Sequence, residues 1–357
     1  MWSLTKQSFN PIPFIDRKPL VDHLTAFTLY LVILGHFSGL PLWLQSAIFT
    51  FHMPLFVLLS GYLLSPQRLS QSPGKFLADR VHRLLVPYFL MGVLSFIPAW
   101  LFFEEHGWSL QRALHDSLQM LKGLAYGIGD RPLAHNIPLW FLPCLFLIQI
   151  LFYPISCFSS KYLPWGVLIL LGVLGWSMRL WLPWRPPWSL DSALLALPFF
   201  VLGYALRTVD FPTLFNTGFK RWGAAGAGLV AYSLAIFFNG SVDMNGATIN
   251  NPILYYSGAL GGILLWSMLL LRIPPLIATR SIAQHGLLIF GFHILGMAFV
   301  RGVLIHTLDL DPLFHEGRVG ILLAMSLAVL VLTWLGAIVL QRWFPVIAGE
   351  HSITPQS

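Results

Sequence analysis

The sequence predicts an all-α, polytopic membrane protein of about ten transmembrane helices, with N- and C-termini cytoplasmic. Three observations carry this. The 357 residues are 56% hydrophobic and only 10% charged, with a mean hydropathy of +0.72, whereas soluble domains carry about 25% charge. Apolar runs of near-spanning length recur along the whole chain, and about 20 helical residues cross the hydrocarbon core. With the N-terminus inside, the cytoplasmic side receives Lys6, Arg17, Lys18, Arg68, Lys75, Arg80, Arg83, Lys161, Arg207, Lys220, Arg221, Arg272, Arg280 and Arg342. These are fourteen of the 21 basic residues, the bias expected of a cytoplasmic face.

A cytoplasmic segment, 1–21, precedes the first apolar run at 22–41, which begins at Asp22 and carries Gly35-His36 towards its far end. The second run, 47–65, holds Phe51-His52-Met53-Pro54 in its first turns, where a proline's missing N–H costs little. Its Ser60-Gly61 pair suits close helix packing. Runs at 85–103, 137–158, 163–182 and 190–206 follow, with breaks such as Arg185-Pro186-Pro187-Trp188. The last four lie at 222–238, 252–271, 281–303 and 318–341, and a cytoplasmic tail covers 343–357. No polar stretch is long enough for a soluble domain, so 22–342 reads as one transmembrane domain. Between the third and fourth runs, Leu110, Leu114, Leu118 and Leu121 recur at helical spacing opposite Arg112, Asp116, Gln119 and Lys122. That is an amphipathic helix on the outer membrane surface, either a lid or interfacial packing.

Several classes are disfavoured. The basic residues are spread over loops and form no groove-sized patch, which argues against nucleic acid. Cys144 and Cys157 share one predicted helix, thirteen residues and about 19 Å apart, too far for a disulfide. No Cys/His spacing suggests a metal. The first apolar run is too long for a signal peptide and leads into a second.

The chemistry concentrates on two histidines. His36 stands fourteen residues, about 21 Å of helix, from Asp22, and so lies in the outer half of the bilayer. His52 opens the next span at similar depth. An ionisable group there marks a functional site, and an imidazole titrating near neutrality can take a proton from a hydroxyl or carry an acyl group. The alternative is a histidine satisfied by a neighbouring carbonyl, or, for His52, an interfacial one. On the other side, Arg80 and Arg83 stand three apart, on one helix face, as a fork for phosphates or as ordinary positive-inside residues.

The order and spacing of these fragments resemble the acyltransferase-3 family of integral-membrane O-acyltransferases, and within it the fucose 4-O-acetylase-like group. The matching parts are Asp22 with Val32-Ile33-Leu34-Gly35-His36, Phe51 to Tyr62, Arg80-x-x-Arg83 with Pro87-Tyr88, and Leu139-Trp140-Phe141-Leu142 with Leu145-Phe146. Further on come Trp188-Ser189-Leu190-Asp191, Phe199 to Tyr204, and Phe292-His293. The resemblance implies transfer of an acyl group, usually acetyl from acetyl-CoA, to a carbohydrate hydroxyl, with His36 catalytic. The chain departs from the family at Thr25, where a basic residue usually stands eleven positions before the histidine. That cation would share the face of His36 about 16 Å away, well placed for a coenzyme A phosphate. Arg80, Arg83 or Arg17 would then compensate, or donor handling differs, or activity is lost.

The sequence thus reads as a multi-pass O-acetyltransferase of a bacterial inner membrane, with no permanently bound cofactor. Acetyl-CoA is the donor, approached from the cytoplasm near Arg80 and Arg83, and a carbohydrate or glycolipid is the acceptor. His36 acts as base or acyl carrier, oriented by Asp22 or His52. Trp188 and Asp191 either hold the sugar or serve as an interfacial tryptophan and a helix cap. The rival class is a transporter or flippase of a sugar-linked lipid; against it, the sequence lacks repeated halves with paired broken helices.

Overall fold

The computed structural model describes residues 18–101, 109–129, 135–157, 163–308 and 319–350. The chain winds through α1 (Pro19–Gly35), α2 (Leu42–Tyr62), α3 (Pro66–Leu69), α4 (Pro73–Arg80), α5 (Val86–Leu101) and α6 (Leu110–Tyr126). It continues through α7 (Phe141–Ser156), α8 (Leu163–Trp181), α9 (Leu190–Leu206), α10 (Phe211–Leu214) and α11 (Gly218–Asn239). The last elements are α12 (Pro252–Leu270), α13 (Ile277–Gln284), α14 (Gly286–Leu308) and α15 (Val319–Trp343). Eight helical stretches among the described residues are long and apolar enough to cross a membrane, and two shorter apolar helices join them. Each predicted apolar run is helical over most of its described residues. The only strand-like feature among the described residues is one bridge, Asp243 to Thr248.

The edges differ from the sequence reading. α1 stops at Gly35, not 41, because Gly39 turns left-handed at φ 85° and Pro41 cannot continue a helix. α2 therefore starts early, at Leu42. The third span begins at Pro73: α4 runs into α5 through a π-helical turn, Val81–Leu85, that carries His82 and Arg83. Such turns hold one residue more than an α turn and often mark functional sites.

α1 is buried on most of its circumference and sits among α2, α12, α13, α14 and α15, as expected of a helix that is apolar all round. The outer surface is also apolar. Phe237 is 80% exposed and Ile277 90%, which only a lipid medium tolerates at this density. On α6, Leu114, Leu118 and Leu121 turn outward, while Ser109 caps the N-terminus and Gly127 closes the helix at φ 68°. Its last carbonyls are taken by Tyr88 Oη (to Leu124) and Trp188 Nε1 (to Ala125), at 2.7 and 3.0 Å. The exposed leucines favour the interfacial role over a lid closing on protein.

Without a hydrophobic drive between helices in lipid, packing rests on close backbone approach. α2 meets α9 at two glycines: a Cβ on Gly61 would lie 2.0 Å from the Phe200 carbonyl oxygen, and one on Gly203 only 1.9 Å from that of Leu58. Gly228 and Gly261 bring α11 and α12 together in the same way. Gly203→Ala should therefore sharply reduce monodisperse protein in detergent, whereas Gly223→Ala, whose added methyl meets nothing within 4 Å, should not. Equal elution profiles for the two variants would refute the close-approach account.

Candidate active site

His36 caps the end of α1, and its Nδ1 lies 2.7 Å from the Val32 carbonyl. A carbonyl only accepts, so Nδ1 carries the proton and Nε2 keeps a lone pair facing away from the helix. The same device recurs twice. On α2, buried His52 Nδ1 donates to the Ile48 carbonyl at 2.8 Å. On α14, fully buried His293 Nδ1 donates to the Phe290 carbonyl at 2.6 Å. The rings of His36 and His293 meet edge to face, with centroids 5.0 Å apart. His52 lies against Phe49 at 5.0 Å and is electrostatically coupled to His36. Phe49 also fills the space that Gly35 leaves, 3.0 Å from where a Cβ would sit. Three imidazoles in one tautomer thus converge from α1, α2 and α14.

A loop from the α11–α12 connection closes on this group. Val242, Met244, Ala247 and Ile249 are buried, and Asn239 secures the loop, donating to the Ile249 carbonyl and accepting from Asn251 N. The Asp243 carboxylate accepts from the Asn245 N–H at 2.9 Å and is electrostatically coupled to His36. Burial pushes the Asp243 carboxyl above its ordinary value, against the opposing pull of the Asn245 and Gly246 N–H groups, Arg185 and His36.

Arg185 ties this loop to the helices. Its Nε and Nη2 meet both oxygens of Asp191 at 3.0 Å, and Nη2 also donates to Ser192 Oγ and to the Asn245 carbonyl. The pair is almost fully buried, at 11% and 1% side-chain exposure. Just before it, Trp188 and Ser189 adopt left-handed backbone, φ 57° and 54°, a strained entrance to α9.

Several expectations change. Asp22 is buried at the opposite end of α1 from His36, about 21 Å away along the helix, so the Val32 carbonyl, not Asp22, orients His36. Asp191 spends both oxygens on Arg185 and the Ser192 N–H, and Trp188 spends its indole N–H on Ala125. They brace the loop, and the Asp191 carboxylate, 1% exposed, is out of a sugar's reach. The Arg80/Arg83 fork is also altered. Arg80 is 3% exposed, ion-paired to Asp79 and bonded to Gln149 Oε1 at 2.8 Å. Arg83 shares Asp79 at 2.9 Å but keeps 35% of its side chain exposed. Arg68 joins them: burial, with Arg83 nearby, holds its guanidinium down to about 10, still charged at neutral pH. Thr25 donates its hydroxyl to the Val21 carbonyl at 2.7 Å, so its one polar group is used within its own helix. Arg17 lies outside the described residues.

Sequence reasoning passed over Asp243, Arg185 and Arg68, and gave His293 no role. Only the Asn245-Gly246 turn pair signalled a shaped loop. At the basic end of the bundle, α1, α2, α9 and α12 enclose an apolar cavity of about 470 Å³ with Lys18 and Asp210 among its lining residues. It lies at the far end of α1 from the histidines. Among the described residues no cluster of three His, Cys, Asp or Glu has metal-binding geometry.

A family model described as an acyltransferase domain, that of the acyltransferase-3 family, matches residues 20–340. The chain belongs to this family, and its apolar helices make it a multi-pass membrane acyltransferase. No curated protein and no solved structure matches it.

Removing one partner of a buried ion pair costs about 3–5 kcal/mol, while replacing both by apolar groups costs much less. Asp191→Asn should therefore lower thermal stability strongly, and Arg185→Met with Asp191→Leu should recover much of the loss. Wild-type melting of Asp191→Asn would disprove the brace.

Proposed function

We propose that the protein transfers an acetyl group from acetyl-CoA to a hydroxyl of a cell-envelope carbohydrate or glycolipid, with His36 as general base. One observation carries this: the Nδ1 proton of His36 is held by Val32, which leaves Nε2 as a base, edge on to the imidazole of His293. The acceptor oxygen attacks the thioester carbonyl carbon while Nε2 takes its proton. The carbon–sulfur bond then breaks and the proton passes to the departing thiolate. Asp243, electrostatically coupled to His36, favours the imidazolium formed between these events.

The donor's phosphates would meet Arg83 and Arg68, the more accessible members of the arginine cluster, because Asp79 and Gln149 already occupy Arg80. Its remaining length would run along α1 towards His36, with the apolar cavity at the start of α1 available to its non-reacting part. The positive-inside bias makes the arginine end cytoplasmic in a bacterial inner membrane. A cysteine at exposed Ser70 should then be shielded from impermeant thiol reagents in intact cells and one at exposed Thr248 labelled; the reverse pattern would overturn the donor side.

The direct test incubates purified protein with labelled acetyl-CoA and an envelope glycan extract. Label should enter glycan with the wild type, fall about a hundredfold or more in His36→Ala, and fall less in His52→Ala. Near-normal transfer by a well-folded His36→Ala would remove the base from the mechanism.

A further inference from the structure

His293 carries an acceptor without a donor. Its Nδ1–H is fixed on the Phe290 carbonyl, so Nε2 is the lone-pair nitrogen, yet it is buried with no hydrogen-bond partner in the protein. Asn136 presents a second. Its Nδ2 donates to Ser95 Oγ at 2.7 Å and to the Gly291 carbonyl at 2.8 Å, which fixes the amide orientation. Its Oδ1 is left buried and without a partner, on the side chain that grips α14 two residues before His293. A buried acceptor with no donor is costly, and such groups are rare enough to need a cause. His293 sits beside the base: its ring stands edge on to that of His36, centroids 5.0 Å apart.

Lone pairs ask for hydroxyl donors. We propose that His293 Nε2, on the stretch of α14 that Asn136 holds at Gly291, accepts a hydrogen bond from a second hydroxyl of the acceptor, next to the one that His36 deprotonates. This rests on the acyl-transfer reading and narrows its substrate to carbohydrates acylated on one member of a vicinal diol. His293 forms no bond to the acyl group and moves no proton. It positions the acceptor, so its loss acts mainly on acceptor KM.

The test uses the labelled acetyl-CoA and glycan extract, with half of the extract first treated with periodate and borohydride, which cleaves vicinal diols and spares isolated hydroxyls. Wild-type transfer should drop at least tenfold on the treated extract. His293→Phe should raise the glycan KM by roughly tenfold to a hundredfold, the effect of one lost hydrogen bond at a buried group, with little change in acetyl-CoA KM. His293→Gln, which keeps an acceptor oxygen, should restore part of this. Undiminished transfer to treated extract overturns the proposal, as does an unchanged glycan KM in His293→Phe. If that variant does not accumulate, the periodate arm and His293→Gln decide. Absence of wild-type transfer to any extract sinks the acyl-transfer reading itself and this inference with it, a pattern distinct from transfer that ignores diols.

Discussion

Hydrocarbon offers no hydrogen bonds, so a chain that lives in it must supply a partner for each polar group it carries inward. Much of this structure follows from that constraint. Thr28, Thr50, Ser60 and Ser326 each donate to the carbonyl four residues back. The three site histidines do likewise with Nδ1, to the carbonyl three or four residues back, and this fixes their chemistry, since the nitrogen that satisfies the helix leaves the other one basic. Charges obey the rule in pairs: Arg185 with Asp191, and Arg80 with Asp79 and Gln149.

Against that background the few unpaired atoms stand out. Asn136, Asn245, Tyr255 and His293 each hold a buried polar atom without a partner. Tyr255, like His36, is electrostatically coupled to Asp243. Other buried polar atoms among the described residues also lack a partner, Arg80 Nε and Trp266 Nε1 among them, but the one on His293 lies beside His36. That placement fits a site whose missing hydrogen bond comes from what it binds.

Fold and site were unequally legible in the sequence. Helix number and type followed from length and hydropathy because the lipid imposes both. Helix ends did not, since Gly39 and Pro41 act through local backbone geometry. His36 and His52 were visible because an ionisable group in an apolar run is conspicuous. Asp243 was not, because an aspartate in a polar loop is ordinary until folding turns that loop inward. Asp22 and Asp191 misled for the opposite reason: their spacing suggested roles, but only the fold shows that one lies a helix length away and the other is already committed to Arg185. The fork at Arg80 and Arg83 was sound as a pattern, yet Asp79, one residue away, had already claimed it.

The π-helical turn at Val81–Leu85 has an angular meaning. One residue corresponds to about 100° of rotation in an α-helix, so the extra residue sets the phase between Arg80 and Tyr88, the latter anchored to the Leu124 carbonyl. Wound instead as a regular α-helix, the same residues would turn Arg80 by about that angle relative to Tyr88 and carry it away from Gln149. The arginine end of this protein is thus indexed by a count of residues as much as by their identity.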